Sequence, residues 1–155
     1  MLIRAIIPED REQLIEIIGK QHNFRQCEID IATEVIDETF NPEEDYQALA
    51  AFDDQSRLVG FISFGPIPLT ASRYDIYWIA VDPDHGRHGT GTVLLKEMEE
   101  RLKKAGSGHI YVETSSTAGY LPARLFYEKN SYILVSHIQD FYRDGDDRMI
   151  YRKIY

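Results

Sequence analysis

Residues 74–105 read YDIYWIAVDPDHGRHGTGTVLLKEMEERLKKA, and this stretch decides the fold. It predicts a strand, a glycine-bearing turn and a long amphipathic helix. Ile76, Trp78 and Ala80 alternate with Asp75, Tyr77 and Ile79, and β-branched and aromatic residues suit a strand. Asp82-Pro83 stops it, because proline lacks an N–H and disfavours helix in the residue before it. Gly86, Gly89 and Gly91 follow. Leu94, Leu95, Met98, Leu102 and Ala105 then recur at helical spacing, with Lys96, Glu97, Glu99, Glu100 and Lys103 opposite. Gly106 and Gly108 end the helix.

A turn of this kind suits an anion. Glycines let backbone approach a ligand closely. The first N–H groups of the following helix lack internal partners, and the helix dipole adds partial positive charge there. Such a backbone cradle fits a pyrophosphate, and Arg87 and His88 could add side-chain charge. Two familiar phosphate motifs are excluded. From Gly89 the chain reads G-T-G-T-V-L, which lacks the last small residue of a dinucleotide fingerprint. Gly86 to Gly91 has P-loop glycine spacing, but Thr92-Val93 follows and the lysine is missing. An ordinary strand-to-helix turn remains open on spacing alone.

VDPDHGRHGTGTVLL resembles motif A of the Gcn5-related N-acetyltransferase (GNAT) family, V-x-P-x-x-[QR]-x-x-G-x-[GA] leading into an aliphatic helix. Val81, Pro83, Gly89, Gly91, Leu94 and Leu95 match; Gly86 departs, with Arg87 one position on. A second block, Ala123 to Tyr132, is similar to the family's A-x-x-[LF]-Y-E-K-x-G-[FY]. Ala123, Phe126, Tyr127, Glu128, Lys129 and Tyr132 fit. Ser131 replaces the usual glycine, so Asn130 is expected to take the left-handed turn. Tyr120 stands where the family often has asparagine.

The chain has 155 residues, enough for one domain with a real core, and is read as a single domain over 1–155. With 43% hydrophobic residues it is globular. A net charge of −9 argues against a general nucleic-acid binder and against an anionic membrane surface, and is compatible with a cationic acceptor. Cys27 is alone, so no internal disulfide forms and a reducing compartment is expected. No apolar run is long enough to span a bilayer, and MLIRAIIPEDREQ lacks the pattern of a signal peptide. These features predict a cytoplasmic protein.

Leu2 to Ile7 reads as a strand, and a helix follows Pro8 until Gly19. A second helix is expected from about Glu28 to Phe40. Gln47 to Phe52 and Leu58 to Phe64 read as strands of a hairpin, and Gly65-Pro66 breaks the chain after them. His109 to Thr114 is a strand and Tyr120 to Lys129 a short helix. Tyr132 to Ile138 and Met149 to Ile154 complete the sheet around a hairpin tip at Tyr142 to Asp147. That tip lacks a calcium-loop pattern, and the five histidines form no zinc pattern, so no metal is expected.

The resemblance implies an α/β fold with a mixed, mostly antiparallel sheet of about six or seven strands flanked by helices. It also implies direct transfer of an acetyl group from acetyl-CoA to a small-molecule amine or peptide, and allows a homodimer through the C-terminal hairpin. Tyr127 becomes the candidate acid at the thioester sulfur and Asp75 the candidate base, with Glu113 as runner-up. Ile79, Ala80 and Val81 would meet the pantetheine arm, and Val81 N–H the thioester oxygen. Arg87, His88, Gly89, Thr90, Gly91 and Thr92 would cradle the pyrophosphate, with Tyr120 a further cofactor contact. Phe24, Arg25 and Glu28 fall where the family meets its acceptor; ordinary helix and loop surface is the competing reading for each. A non-catalytic acyl-CoA sensor is the alternative to an enzyme.

Overall fold

The computed structural model describes residues 1–85, 89–106 and 108–154. Seven strands form one sheet: β1 (Leu2–Ala5), β2 (Gln47–Phe52), β3 (Leu58–Pro66), β4 (Arg73–Val81), β5 (His109–Ser115), β6 (Ile133–Arg143) and β7 (Asp146–Ile154). Their order is β1-β2-β3-β4-β5-β7-β6. Only β4 and β5 run parallel; every other neighbouring pair is antiparallel. The expected α/β class and mostly antiparallel sheet are therefore present.

Four helices cover the sheet: α1 (Arg11–Gly19), α2 (Gln26–Thr39), α3 (Thr90–Lys104) and α4 (Leu121–Lys129). Leu94, Leu95, Met98 and Leu102 of α3 join Tyr127 of α4 in one core with Ile62, Phe64 and Ile76. Leu14, Ile17 and Ile18 of α1 and Ala32 and Ile36 of α2 build a second core with Ala50, Phe61 and Ala80. β2 and β3 are buried almost throughout, since each contributes side chains to both cores. At the far edge β6 exposes Ile133, Leu134 and Phe141. No helix of the described residues is long and apolar enough to cross a membrane.

Several boundaries differ from expectation, each for a local reason. β1 ends at Ala5, not Ile7, because the Asp10 carboxylate accepts the Ile7 N–H at 2.9 Å and the Arg4 guanidinium at 2.6 and 2.8 Å. α2 starts at Gln26, two residues early, because Glu28 turns back to accept the Arg25 N–H at 2.8 Å, one arm of a capping box. Gly65 and Pro66 extend β3, pairing with Asp75 and Tyr74, rather than breaking the chain. A 3-10 turn at Ala118–Tyr120 precedes α4. The C-terminal hairpin is longer than expected, with only Asp144 and Gly145 between its strands. Ser131, not Asn130, takes the left-handed conformation (φ 69°). Asn130 keeps a negative φ (−92°), and its side chain donates to the Phe126 carbonyl at 2.8 Å, closing the end of α4.

The largest correction lies in β4. Ile76, Trp78 and Ala80 do not share a face. The register against β3 shifts between Ser63 and Phe64, which leaves Tyr77 as an extra residue. Ile76 enters the α3/α4 core, whereas Trp78 and Ala80 pack with α1 and α2. The buried Ser63 hydroxyl accepts the Trp78 N–H at 3.1 Å, which satisfies the backbone beside the bulge.

Gly60 of β3 fixes how closely α3 approaches. A Cβ there would lie 3.0 Å from Ala80 O and 3.2 Å from the Thr90 methyl. Gly60→Val is expected to cost roughly 1–3 kcal/mol through overpacking, read as a lower urea midpoint; an unchanged midpoint would show that α3 has room to shift.

Candidate active site

The site begins where two strands part. β4 and β5 pair only over Arg73–Ile76 with His109–Val112. Beyond these four residues Tyr77–Val81 and Glu113–Ser115 diverge, and a cleft of about 880 Å³ opens between them. Ile79 and Val81 of β4, Gly91 of α3, Thr114 of β5, and Phe126 and Tyr127 of α4 line it.

The open edge of β4 is polar. Asp82 N–H donates to Val59 O at 2.9 Å, so Asp82 and Val59 form a hydrogen-bonded pair with β3. Antiparallel alternation then turns the N–H groups of Val81 and Ile79 away from β3, toward the cleft. In accord, Val81 O accepts the Gln21 side-chain amide at 3.1 Å from outside the sheet. Ala80 has the opposite phase: it is buried in the α1/α2 core and is not in the cleft wall. Of the three residues expected along the pantetheine arm, Ile79 and Val81 face the opening.

The N-terminus of α3 closes one end. Gly89 caps it at φ 76°, a conformation that L side chains rarely adopt. The first helical bond runs from Val93 N–H to Gly89 O at 3.0 Å, so the N–H groups of Thr90, Gly91 and Thr92 precede the ladder. The Thr90 side chain is buried against Gly60, which seats the first turn of the helix on β3. A Cβ on Gly91 would touch the Phe126 ring at 3.4 Å. The turn ahead is held by Asp82, whose carboxylate accepts the Asp84 N–H at 2.9 Å and Lys20 Nζ at 3.1 Å. Arg87 and His88, expected at the same pyrophosphate, lie outside the described residues.

Tyr127 is buried, its ring set among Phe126, Tyr132 and Tyr151 at centroid distances of 5.5, 6.0 and 6.1 Å. Burial pushes its phenol pKa up, so it holds its proton throughout the physiological range. Tyr120 also lines the cleft, but its hydroxyl donates to the Glu28 carboxylate of α2. Burial first and that bond second push its pKa up. Glu28 is also paired with Arg25 Nε at 3.1 Å, so this cluster ties α2 to the start of α4 across the cleft.

Asp75 lies next door, in an adjoining depression of about 470 Å³ that shares Glu113, Tyr77, Trp78 and Ile31 with the cleft. Its carboxyl pKa is pushed up to about 6, by burial first and by Glu113 second, with Arg148 opposing. Glu113 is ion-paired with Arg148. The structure thus brings Asp75 and Glu113 together and sets Tyr127 in the wall of the neighbouring cleft.

One part of the site was not foreseen. Ser115 Oγ donates to the buried Asp146 carboxylate at 2.5 Å, and Arg124 Nη1 donates to the carbonyls of Ser115 and Thr117 at 2.6 and 2.9 Å. This network fixes the loop after β5 beneath α4. Its partners are distant in sequence, and no local pattern joins them. Among the described residues no group of three or more His, Cys, Asp or Glu is placed to hold a metal ion.

Comparison with known proteins agrees with this geometry. The family model for the acetyltransferase (GNAT) family matches residues 11–132. A GNAT-family protein from Desulfovibrio desulfuricans is 32% identical, with 99% of this chain and 98% of that one covered and a TM-score of 0.93. The PaiA N-acetyltransferase of Thermoplasma acidophilum, crystallised with coenzyme A, is 25% identical over 99% and 98% of the two chains, with a TM-score of 0.75. The ribosomal-protein-S18-alanine N-acetyltransferase of Escherichia coli, at 19% identity over 99% and 92% of the chains and a TM-score of 0.79, shares the fold. No curated protein matches the chain. The chain belongs to the GNAT family, and it is an acyltransferase.

The raised Asp75 pKa has a consequence for stability. Between its unfolded pKa of about 3.8 and the folded value of about 6, the folded state binds the extra proton. Its stabilising contribution is therefore complete below the lower value and lost as pH rises through the upper one. Asp75→Asn is expected to match the parent near pH 4 and to exceed it at pH 7 by on the order of 1–3 kcal/mol. Urea titrations at both pH values check this, and a gap independent of pH would show that Asp75 is not shifted.

Proposed function

We propose that the protein is an N-acetyltransferase that moves the acetyl group of acetyl-CoA directly to a primary amine in a ternary complex. The observation that carries this reading is the parted β4/β5 pair, with unpaired N–H groups on its edge, a helix N-terminus at one end and a protonated tyrosine in its wall. The N–H groups of Gly89 to Thr92 hold the pyrophosphate, with Arg87 and His88 assigned to the same group by family resemblance. The edge of Ile79 and Val81 bonds the amide-bearing pantetheine as an added strand would. Val81 N–H donates to the thioester oxygen and stabilises the charge that develops there.

The amine attacks the carbonyl carbon; the C–N bond forms and the C–S bond breaks. Two protons leave the nitrogen. Asp75 accepts the first, since an alkylammonium of pKa about 10.4 is protonated at neutral pH and cannot attack. The second reaches the departing sulfur through the Tyr127 hydroxyl, which burial keeps protonated: the phenol gives its proton to the thiolate and takes the one leaving the nitrogen, so that it ends as it began.

Calorimetry tests the cofactor half. The wild-type protein is expected to bind acetyl-CoA with roughly micromolar affinity, and Gly89→Glu, which sets an anion and a strained residue at the helix cap, is expected to abolish binding. Equal affinity in the variant sinks the assignment. Tyr127→Phe is expected to lower kcat about 10- to 100-fold with acetyl-CoA affinity held; a change in affinity alone would make Tyr127 a packing residue.

A further inference from the structure

The depression beside the cleft has a composition that selects an acceptor. Its floor is one face of the sheet. Asp75 is in register with Tyr111, and Glu113, two residues further along β5, is in register with Ile150 of β7. Ile31 and Val35 of α2 form the opposite wall. Trp78 and Tyr77 stand between this depression and the cleft, and the Phe24 ring meets Trp78 edge-on at 5.0 Å.

The charges are nearly balanced. Glu28 is paired with Arg25, Glu113 with Arg148 and Asp146 with Arg143. Among the described residues these are the other carboxylates bordering the two depressions, and Asp75 alone forms no ion pair. A polycation would need several uncommitted carboxylates at separate points. Here one carboxylate is free, and the surfaces around it are aromatic and aliphatic. Such walls favour an apolar body and penalise a second buried charge.

We propose, resting on the acetyltransferase reading above, that the acceptor is a small monoamine with an apolar, aromatic-sized body seated between α2 and Trp78, its nitrogen directed at Asp75. Trp78 is the chain's single tryptophan, so its fluorescence reports occupancy directly. Titration with 2-phenylethylamine is expected to change that fluorescence saturably, and spermidine is expected to leave it unchanged. In acetylation assays kcat/KM for 2-phenylethylamine is expected to exceed that for spermidine or an alanyl peptide at least ten-fold. Ile31→Asp, at an exposed position of the wall, adds an unpaired carboxylate. It is expected to shift the ratio toward spermidine by ten-fold or more.

Spermidine or the peptide as the better substrate overturns the proposal. So does a ratio that Ile31→Asp leaves unmoved, or acetyl-CoA binding with no fluorescence response to the monoamine. A saturable response without acetyl-CoA binding sinks the acetyltransferase reading instead and leaves the amine seat standing.

Discussion

The site depends on a conflict of pairing in β4. This strand keeps its bonds to β3 along its length, at the cost of one bulge, and gives up β5 after four residues. Backbone N–H and C=O groups are rarely left without partners in a folded protein. An interior strand that stops pairing halfway therefore presents donors to whatever enters the gap. Within the sheet the bulge beside Tyr77 is repaired, by the Ser63 hydroxyl. On the β5 side the Val81 carbonyl is met by Gln21, but its N–H is turned to the opening. Inside the sheet, β4 thus turns backbone donors toward the opening.

The helices on either face act on that gap separately. α3 brings its N-terminus close because Gly60 lacks a side chain, and its apolar stripe anchors it to the first core. α4 brings Tyr127 to the wall, with its C-terminal end closed by Asn130 and Ser131. On the other face α1 and α2 rest on the second core; the loop between them lends Gln21 to the cleft and α2 lends Glu28. The bond from Tyr120 to Glu28 joins the two halves of the molecule across the opening. A tyrosine at the position where the family often carries asparagine is long enough to make that span.

Much of this was legible in the sequence because its causes are local. The Asp82-Pro83 stop, the glycine cap and the apolar stripe of α3 each act within a few residues, and the expected strand and helix are present. The resemblance of two blocks then supplied the sheet type and the family. What local pattern could not give was register. Alternation in β4 put Ile76, Trp78 and Ala80 on one face; a single extra residue, selected by the partner strand, separated them. Ala80, grouped with Ile79 and Val81 along the pantetheine arm, turns its side chain into the core on the other face. The turn after α4 went to Ser131 because the Asn130 side chain had a better use on the helix carbonyl. Asp146 could not be joined to Ser115 without knowing that β7 pairs with β5.

The charge of the chain illustrates the same limit. A net charge of −9 is compatible with a cationic acceptor, but acidic surfaces usually serve only solubility. In the cleft and the depression beside it, Arg25, Arg143 and Arg148 pair with Glu28, Asp146 and Glu113, and Asp75 of the depression forms no ion pair. The same circumstance sets the chemistry of Asp75. Burial first and the neighbouring Glu113 second raise the Asp75 pKa to about 6 against the opposing charge of Arg148. A paired Asp75 would be a weaker base and would offer no net charge to an ammonium. The absence of a partner therefore serves two ends at once: it makes the carboxylate basic enough to accept a proton near neutral pH, and it leaves one negative charge in an otherwise balanced, aromatic surround.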